Sequence, residues 1–518
     1  MWKKASALFF CFSIIYSSFS QDDINILLTE KYAENSFRDG DYEFALENYL
    51  ILYERDNKNI DLNYKIGICY TETTIDKSKA IPYLEYVVGH NNFSVNAHYY
   101  LGRAYMYNYR FTVAVEAFYE YKMMGVSEET LKESDRFIQM CYDALERINV
   151  PHNVAFELLD STVNSKYDEY YPFIDASANN LLYSSNRTYI SEYETYIANA
   201  FYSEKKKGVW SSATPLPTNT FDNEEVVGMT PNGEKILIYA DGDYSDHDIK
   251  QVNRKGSKFA DASNTELPFD MNTEGVEMGA CLSPDGNTIY YASDKRGGRG
   301  GLDIYSAKKD ASGQWKASEN MGSMINTEYD ENFPSLSADG KKMYFASKGH
   351  PGIGGYDIYE TLYDDVLKSW TTPINLGLPI NTPLDNTTIS FAADGKTAFL
   401  SANRKEGLGK LDIYKVTFGD DEKSVFVSVT VMVGNDANAV SYSEDFLKAY
   451  ATFYDKYDNI IAQVPVETEG GYFFGTLFPG TYKLEVKFDG AKQGHLETLV
   501  IGEDKVGDVI SKTVYLKQ

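Results

Sequence analysis

The chain has 518 residues, more than one hydrophobic core usually serves, so the sequence predicts two to four domains. Its formal net charge is -27, from 76 acidic and 49 basic residues. This acidity would repel nucleic acid and an anionic membrane surface, and it argues against either as the main partner.

The first twenty residues have the pattern of a secretory signal. Lys3 and Lys4 precede an apolar run from 5 to 16, and small and polar residues end the segment at Ser20. We expect cleavage after Ser20 and export from the cytoplasm. No later apolar run reaches the roughly 18 to 20 residues that a membrane helix needs.

The four cysteines predict neither a lipid anchor nor a disulfide. Cys11 lies in the apolar run without the small residue that a lipoprotein signal places before its cysteine. The others are predicted to be buried free thiols, since two of them fall on apolar helical faces: Cys69, Cys141 and Cys281.

Residues 21–150 carry a helical period of 3.6. The small residues Ala45, Ala80 and Ala114 recur at intervals of 35 and 34, and Gly40 stands at a tight turn between two amphipathic segments. The sequence therefore predicts three helical hairpins, followed by a capping helix over 127–147.

This pattern resembles the tetratricopeptide repeat, in which small residues let the two helices of a hairpin approach closely. The resemblance implies a concave groove that holds a peptide. The candidates to line it are Tyr64, Tyr99 and Tyr105. The alternative is that these tyrosines pack between helices.

From 151 to 420 a unit of short strands repeats. The turn glycines Gly233, Gly286, Gly340 and Gly395 are 53, 54 and 55 residues apart, and Asn179-Asn180 stands one period earlier. A third strand begins in phase at Asp248, Asp303, Asp357 and Asp412, and 194–196 is taken as a degenerate first copy. A period near 50 with several strands per copy is typical of propeller blades, because one blade cannot bury both faces.

A second motif, an Asn-Thr or Asn-Ser pair, recurs at intervals of 55, 53, 54 and 55. The pairs begin at Asn164, Asn219, Asn272, Asn326 and Asn381. In later copies the pair follows a fourth strand, which the fifth copy lacks after 412–416. We expect the segment near 154–160 to supply that strand, closing the ring and removing exposed edges.

The Pro-Asp-Gly turns, the glycine-rich loop 294–298 and the Asp-Ile-Tyr strands resemble the PD-repeat, TolB-like propellers. The resemblance implies a five-bladed all-β propeller over 151–420 whose loops emerge on one face. That face would carry five basic residues as candidate partner contacts: Arg187, Arg296, Arg299, Lys348 and Arg404. The alternative is that they are solvated loop charges.

No catalytic or metal-binding pattern stands out. Alternate aspartates in 241–248 suit calcium, but the full ligand loop is absent, so a surface loop is the preferred interpretation. The six histidines lie in different segments, and no H-E-x-x-H, G-x-S-x-G or P-loop pattern is present. We expect a protein without cofactor, metal or enzymatic activity.

Residues 424–518 alternate apolar and polar side chains, as half-buried strands do. The run 471–482, with its Pro-Gly turn, resembles the carboxypeptidase-regulatory-like β-sandwich. That module implies no peptidase activity.

The order of signal, helical repeats, propeller and sandwich resembles the PorE-type periplasmic proteins of the type IX secretion and gliding machinery. The resemblance implies a periplasmic scaffold peripheral to the outer membrane, with a β-barrel or lipoprotein partner. The chain stops at Gln518 without the OmpA-like domain of that family, so direct peptidoglycan binding is not expected. The alternatives are a TolB-like envelope-integrity protein that binds an OmpA-like lipoprotein, and a surface adhesin.

Overall fold

A computed structural model describes residues 21–518, except 75, 91–93, 126, 149, 192–194, 221, 243–244, 436–437, 469–470 and 518; the side chains of 21–24, 241–242, 245–247 and 474 also lie outside the description. The predicted signal, 1–20, is therefore not among the described residues. The chain divides into two compact units, 1–141 and 142–518. Within the described part, no helix is long and apolar enough to cross a membrane.

The described N-terminal region contains seven α-helices, α1 (Gln21–Arg38), α2 (Tyr42–Tyr53), α3 (Ile60–Glu72), α4 (Ala80–Val88), α5 (Ala97–Tyr107), α6 (Phe111–Met123) and α7 (Glu128–Arg147). Helix α1 packs on α2, α3 on α4, and α5 on α6. Close approach requires glycine: a Cβ on Gly67 would lie 2.5 Å from Leu84, and one on Gly102 would lie 2.7 Å from Phe118. The predicted small residues are fully buried: Ala45, Ala80 and Ala114. The predicted hairpins and the final helix are confirmed, as are the buried free thiols.

The described residues from 154 to 418 form five antiparallel sheets. Strand β1 (Val154–Leu158) comes first in the chain. The first sheet contains β2 (Glu169–Ile174), β3 (Asn180–Ile190), β4 (Thr195–Lys206), β5 (Val209–Trp210) and β6 (Thr214–Pro215). The second contains β7 (Asn223–Met229), β8 (Lys235–Gly242), β9 (Ser245–Lys255) and β10 (Lys258–Phe259), and the third contains β11 (Glu277–Leu282), β12 (Thr288–Ser293), β13 (Asp303–Lys308) and β14 (Glu319–Asn320). The fourth contains β15 (Glu331–Leu336), β16 (Lys342–Ser347), β17 (Asp357–Asp364), β18 (Ser369–Trp370) and β19 (Ile374–Asn375), and the fifth β20 (Ile389–Phe391), β21 (Thr397–Ala402) and β22 (Asp412–Phe418) with β1.

The first strands of the five sheets contact one another in order. Strand β2 contacts β7, β7 contacts β11, β11 contacts β15, β15 contacts β20, and β20 contacts β2 again. A cavity of about 20 Å³ is lined from all five sheets by Ile174, Met229, Leu282, Leu336 and Phe391 among others. The sheets therefore lie around a common axis, an arrangement consistent with a propeller.

Bulges fill the space near this axis. The first and second strands shift register in four of the sheets, between 170 and 173, 226 and 228, 278 and 280, and 332 and 335. Two bulge residues, Tyr171 and Phe333, have positive φ angles of 51° and 50°, and their ring centroids are 4.4 Å apart. Residues of the first and fourth sheets thus meet between the first strands.

The fifth sheet takes its outer strand from the start of the β region. Strand β1 pairs antiparallel with β22, from Val154 opposite Phe418 to Leu158 opposite Tyr414. The predicted closing strand is confirmed, and it covers an edge that β22 would otherwise expose.

One predicted register is wrong. Asn199, not 194–196, takes the place of the third-strand aspartates in the first sheet, because Asn199 lies opposite Ser185 as Asp303 lies opposite Ser293 and Asp357 opposite Ser347. The pairing of β3 with β4 continues past Ser185 and Asn199 as far as Ile190 and Thr195. Strand β4 therefore begins four residues before the position of the third-strand aspartate.

The C-terminal region adds two sheets to the second unit. One has β23 (Val425–Val433), β24 (Val440–Ser441), β27 (Tyr472–Leu477) and β30 (Val509–Leu516), and β30 runs parallel to β23. The other has β25 (Ala449–Tyr454), β26 (Ile460–Pro465), β28 (Gly480–Phe488) and β29 (His495–Ile501). The predicted alternation is confirmed in β23, where Val425, Val427, Val429 and Val431 are fully buried.

Candidate functional site

The repeated polar motifs of the five sheets lie at one end, which we call the loop end. It comprises the segments that enter each first strand and the loops from second to third strand, such as 294–302, 348–356 and 403–411. Because consecutive strands are antiparallel, these segments emerge at the same end of each sheet.

The asparagine of each Asn-Thr pair acts as a strand partner. In four repeats its Oδ1 accepts from the N–H, and its Nδ2 donates to the C=O, of the isoleucine after the third-strand aspartate, at 2.8 to 3.1 Å. The pairs are Asn164 with Ile413, Asn272 with Ile249, Asn326 with Ile304, and Asn381 with Ile358. In the remaining repeat Asn219 donates to the C=O of Ala200 at 2.9 Å, and no described group donates to its Oδ1. The motif thus satisfies backbone groups that a buried strand end would leave unpaired.

The next residue holds a buried carboxylate. The backbone N–H and the hydroxyl of this serine or threonine both donate to a glutamate four residues later, which is the first or second residue of the first strand. At most 2% of each glutamate is exposed. The pairs are Ser165 with Glu169, Thr220 with Glu224, Thr273 with Glu277, and Thr327 with Glu331. The fifth repeat has Asn386 with Thr382. This role of the glutamates was not predicted, although in four of the five repeats a glutamate follows the motif asparagine by five residues.

The third-strand aspartates hold the glycine-rich loops. Asp303 accepts from the N–H of Arg299, Asp357 from that of Ile353, and Asp412 from those of Leu408 and Gly409. A Cβ on the loop glycine of each repeat would overlap the carboxylate: Gly298, Gly352 and Gly407. These three glycines do not have positive φ angles. Close approach of the aspartate, and not a left-handed backbone, therefore requires glycine at these three positions.

Carboxyl groups of successive sheets influence one another at this end. Burial raises the pKa of Glu331 to about 7, and the charge of Asp303 adds to the effect. Burial also raises the pKa of Asp357 to about 7 and that of Asp412 above its usual value, where Glu169 contributes. In each of the three aspartates, Oδ1 is buried without a hydrogen-bond partner among the described residues. The three aspartates order the loops through the backbone N–H groups that donate to their other carboxylate oxygen.

The five predicted basic residues differ in exposure: some pair with carboxylates of the chain, and others stay exposed to solvent. The Arg187 side chain is 18% exposed, and it pairs with the buried Glu169 at 2.7 Å. Lys348 pairs with Asp330 at 2.8 Å. Arg299 is exposed and its Nε donates to the C=O of Asn326 at 3.2 Å, and Arg296 is exposed. Partner binding stays a prediction, and it suits Arg296 and Arg299 best because the other side chains are held within the chain.

Arg404 joins the fifth sheet to the C-terminal sheets. Its guanidinium is 15% exposed, pairs with Glu406 at 3.0 Å and with Asp455 at 2.5 Å, and lies 4.2 Å from the ring centroid of Phe156. Asn459 adds a donor to Glu406 at 2.8 Å. The expectation of a solvated charge is wrong for Arg404, because Asp455 lies on the turn between β25 and β26 and draws the side chain inward.

The three predicted tyrosines divide between two faces of the helical region. Tyr64 and Tyr99 meet through Tyr100, with ring centroids 6.2 Å and 5.3 Å from it. Tyr99 also donates to Glu133 at 3.0 Å. Tyr105 instead donates to Glu85 at 2.8 Å, on α4. The ring of Tyr99 also packs on Phe118 and Phe137 of the next two helices, at 6.3 and 5.9 Å. The helix-packing alternative therefore suits Tyr99 and Tyr105, and groove lining stays a prediction.

A buried ion pair that sequence reasoning missed lies beside this tyrosine group. Arg103 donates to both carboxylate oxygens of Glu72, at 2.5 and 3.2 Å, and its guanidinium lies 5.6 to 5.8 Å from the rings of Tyr99, Tyr100 and Tyr107. Aromatic residues three or four positions from an arginine on one helix were the available signal. The pair orders the surface that Tyr64 and Tyr99 share.

The candidate calcium segment cannot be placed, since 243–244 and the side chains of 241–247 lie outside the described residues. Within the described part of the chain, no three His, Cys, Asp or Glu side chains are grouped so as to hold a metal ion. The absence of a metal and a cofactor stays a prediction.

The comparisons with known proteins do not show a family. No protein-family model matches the chain, and no curated protein matches it. Solved structures similar to it include a glycoside hydrolase (11% identity, TM-score 0.37, 57% of this chain and 96% of that chain), an α-L-arabinanase of Penicillium chrysogenum (10%, 0.32, 52% and 99%) and a post-proline cleaving enzyme from Rickettsia typhi (11%, 0.25, 62% and 41%). Similarity at this level carries no argument about function, so the site is interpreted from its own geometry.

Proposed function

We propose that the five sheets are the blades of a PD-repeat propeller, preceded by three tetratricopeptide-like repeats and followed by a small β-sandwich. The chain then acts as a non-enzymatic binding protein of the cell envelope. Three modules of these types each offer a preformed recognition surface, and loops on a rigid scaffold are where recognition concentrates.

The observation that carries this proposal is the hydrogen-bond network of the loop end. Buried asparagine, glutamate and aspartate side chains fix the loops from beneath, and Arg296 and Arg299 remain exposed above them. A partner that binds there meets loops already ordered, so little conformational entropy is lost on binding. The same polar groups are committed to backbone partners, which favours recognition over chemistry.

The cellular setting rests on the sequence. The signal pattern of residues 1–20 and the order of modules support a periplasmic protein peripheral to the outer membrane, associated with a type IX-like secretion or gliding complex. A TolB-like envelope-integrity protein and a surface adhesin stand as the alternatives.

A pull-down from envelope extract tests the proposal. Wild-type protein is compared with Arg296→Glu/Arg299→Glu and with a control of equal charge change on the C-terminal sheets, Lys456→Glu/Lys492→Glu. We expect the first variant to lose a partner that the control keeps. Arg404 stays unchanged in both, since its replacement would disturb the contact with Asp455.

The identity of the captured partner separates the settings. An outer-membrane β-barrel supports the secretion or gliding complex, whereas a peptidoglycan-associated lipoprotein supports the TolB-like alternative. Digestion by protease on whole cells would support the adhesin. An unchanged partner set for the Arg296→Glu/Arg299→Glu variant would contradict binding at the loop end.

A further inference from the structure

The opposite end of the five sheets, the turn end, has an uneven charge. It consists of the turns from first to second strand and from third to fourth strand. In the first three sheets these turns carry exposed lysines, which we call the lysine arc: Lys207, Lys255, Lys258, Lys308 and Lys316. Such a concentration is notable in a chain whose net charge is -27.

Tight turns hold the arc in place. Lys206 lies opposite Val209 around a turn in which Lys207 and Gly208 have φ angles of 53° and 85°. Two-residue turns with positive φ match the twist of the flanking strands. Lys255 lies opposite Lys258 in the same way, around a two-residue turn that begins with a glycine of φ 61°. The backbone therefore fixes where these lysines project.

The three turns form one continuous surface. Arg254 of the second sheet donates to Asn180 of the first at 2.9 Å, and the rings of Tyr202 and Phe259 are 5.7 Å apart. The third sheet joins through Trp315, whose indole N–H donates to the C=O of Glu266 at 2.7 Å. The arc thus spans three adjacent sheets.

The lysines of the arc lack close ion pairs: none of the five forms one with a residue that the structure describes. Asp310 faces Lys316 at longer range, since hydrogen bonds from Ser312 and Gln314 and then the charge of Lys316 lower the pKa of Asp310. Behind the arc, burial and then the charge of Lys235 lower the pKa of Lys309, whereas the charges of Glu266 and Asp285 raise it. An anionic partner would meet arc lysines that have no close counter-ion.

The rest of the turn end decides what kind of anion fits. In the turns of the fourth and fifth sheets acidic residues outnumber the lysines Lys341, Lys368, Lys396 and Lys423: they are Asp339, Asp364, Asp365, Asp394, Asp420, Asp421 and Glu422. A flat anionic membrane that covered this end would meet these carboxylates as well as the lysines. A partner of limited width can contact the arc alone. A lysine ammonium is a point charge on a flexible side chain, whereas an arginine guanidinium binds a carboxylate in a fixed bidentate geometry. Lysines therefore suit an acidic segment whose carboxylates have no fixed positions.

We propose that the lysine arc binds an acidic segment of a partner protein. The inference concerns a different surface from the loop end and does not rest on the proposed function. Its affinity should fall with added salt, because the lysines remain solvated at hairpin tips.

The test measures binding of a fluorescein-labelled oligo-glutamate peptide to the full chain by fluorescence anisotropy. Lys207→Glu/Lys255→Glu/Lys308→Glu should bind about tenfold more weakly than wild type at low salt. A control of equal charge change, Lys456→Glu/Lys492→Glu/Lys505→Glu, should keep most of the affinity. The same positions are also changed to glutamine in both sets, which removes the lysine charges without adding carboxylates that repel the peptide. Circular dichroism checks that all variants fold.

Equal weakening by the arc and control variants would overturn the proposal, since only net charge would then matter. Failure of the wild-type chain to bind the peptide would also overturn it. Vesicles of phosphatidylglycerol test the other anion class, and binding to them with no binding of the peptide would assign the arc to a membrane instead.

Discussion

The motif asparagines offer a direct test of how the loop end is held, through the change Asn326→Ala. Asn326 is 1% exposed and makes three hydrogen bonds, to the N–H and C=O of Ile304 at 2.8 and 2.9 Å and to Asn320 at 3.0 Å. The C=O of Ile304 keeps a second donor, the N–H of Met321 at 3.1 Å. The N–H of Ile304 would be left buried without an acceptor, so the free energy of unfolding should fall by about 3 kcal/mol.

Asn219 provides a matched control in the same chain. It occupies the same position of the repeat, but it donates one hydrogen bond, to the C=O of Ala200, which also accepts from the N–H of Leu216 at 2.9 Å. No backbone N–H depends on its Oδ1. Asn219→Ala should therefore lower the free energy of unfolding by only about 1 kcal/mol.

Urea unfolding followed by tryptophan fluorescence measures both changes, since Trp210, Trp315 and Trp370 all lie within the repeated region 154–418. Hydrogen exchange of the Ile304 amide adds a local measurement, and Asn326→Ala should accelerate it. Equal losses of stability in the two variants, or a protected Ile304 amide in Asn326→Ala, would refute the assignment of the motif as a strand partner.

Four further outcomes are expected. Deleting 151–170 removes the strand that pairs with β22, and it should lower the melting temperature or cause aggregation in light scattering, whereas unchanged stability would contradict ring closure. Because burial raises the pKa of Glu331 from 4.5 to about 7 on folding, the stability that its proton contributes is full below the unfolded value and is lost as the pH rises through about 7; Glu331→Gln should reduce this loss in thermal scans. Arg404→Ala and Asp455→Ala should each destabilise by about 2 kcal/mol and the double variant by less than their sum, and an additive result would deny the coupling. A chelator should leave thermal unfolding unchanged, and a rise of several degrees with calcium would make the acidic segment 241–248 a metal site.

The fold was largely accessible from the sequence because its signals repeat. Five copies of one turn and strand pattern predicted five sheets, and a strand missing from the last copy predicted the pairing of β1 with β22. Spacing could not place the motif in the first copy, since Asn199 differs in chemistry from the aspartates and the hairpin extends past it to Thr195. Pairing across the strands identified Asn199 where periodicity did not.

The candidate site was harder to predict from the sequence, because basic side chains at similar positions of the repeats have different partners in the structure. Arg187, Arg296 and Arg404 follow the second-strand serine or alanine of their repeats, yet Arg187 lies within β3 and pairs with a buried glutamate, and Arg404 pairs with a residue 51 positions later in the chain. Only the three-dimensional arrangement brings Asp455 to Arg404. The reason for glycine at 298, 352 and 407 is likewise visible only in three dimensions, because it is the close approach of an aspartate carboxylate.

At the junctions between successive sheets two acidic side chains are buried close together, and their repulsion is reduced in a different way from one junction to the next. An aspartate of one sheet stands near a glutamate of the next, and two buried carboxylates repel each other. At Asp303 and Glu331 the raised pKa of Glu331 lets a proton remove one charge, whereas at Asp412 and Glu169 the guanidinium of Arg187 supplies a counter-charge.

At the other junctions compared, an amide replaces one carboxylate. Asn199 donates to Glu224 at 3.1 Å, and Asn386 stands where the other repeats have a glutamate, in the sheet that follows Asp357. At these two junctions the amide therefore removes one of the two carboxylates that would otherwise be buried beside each other.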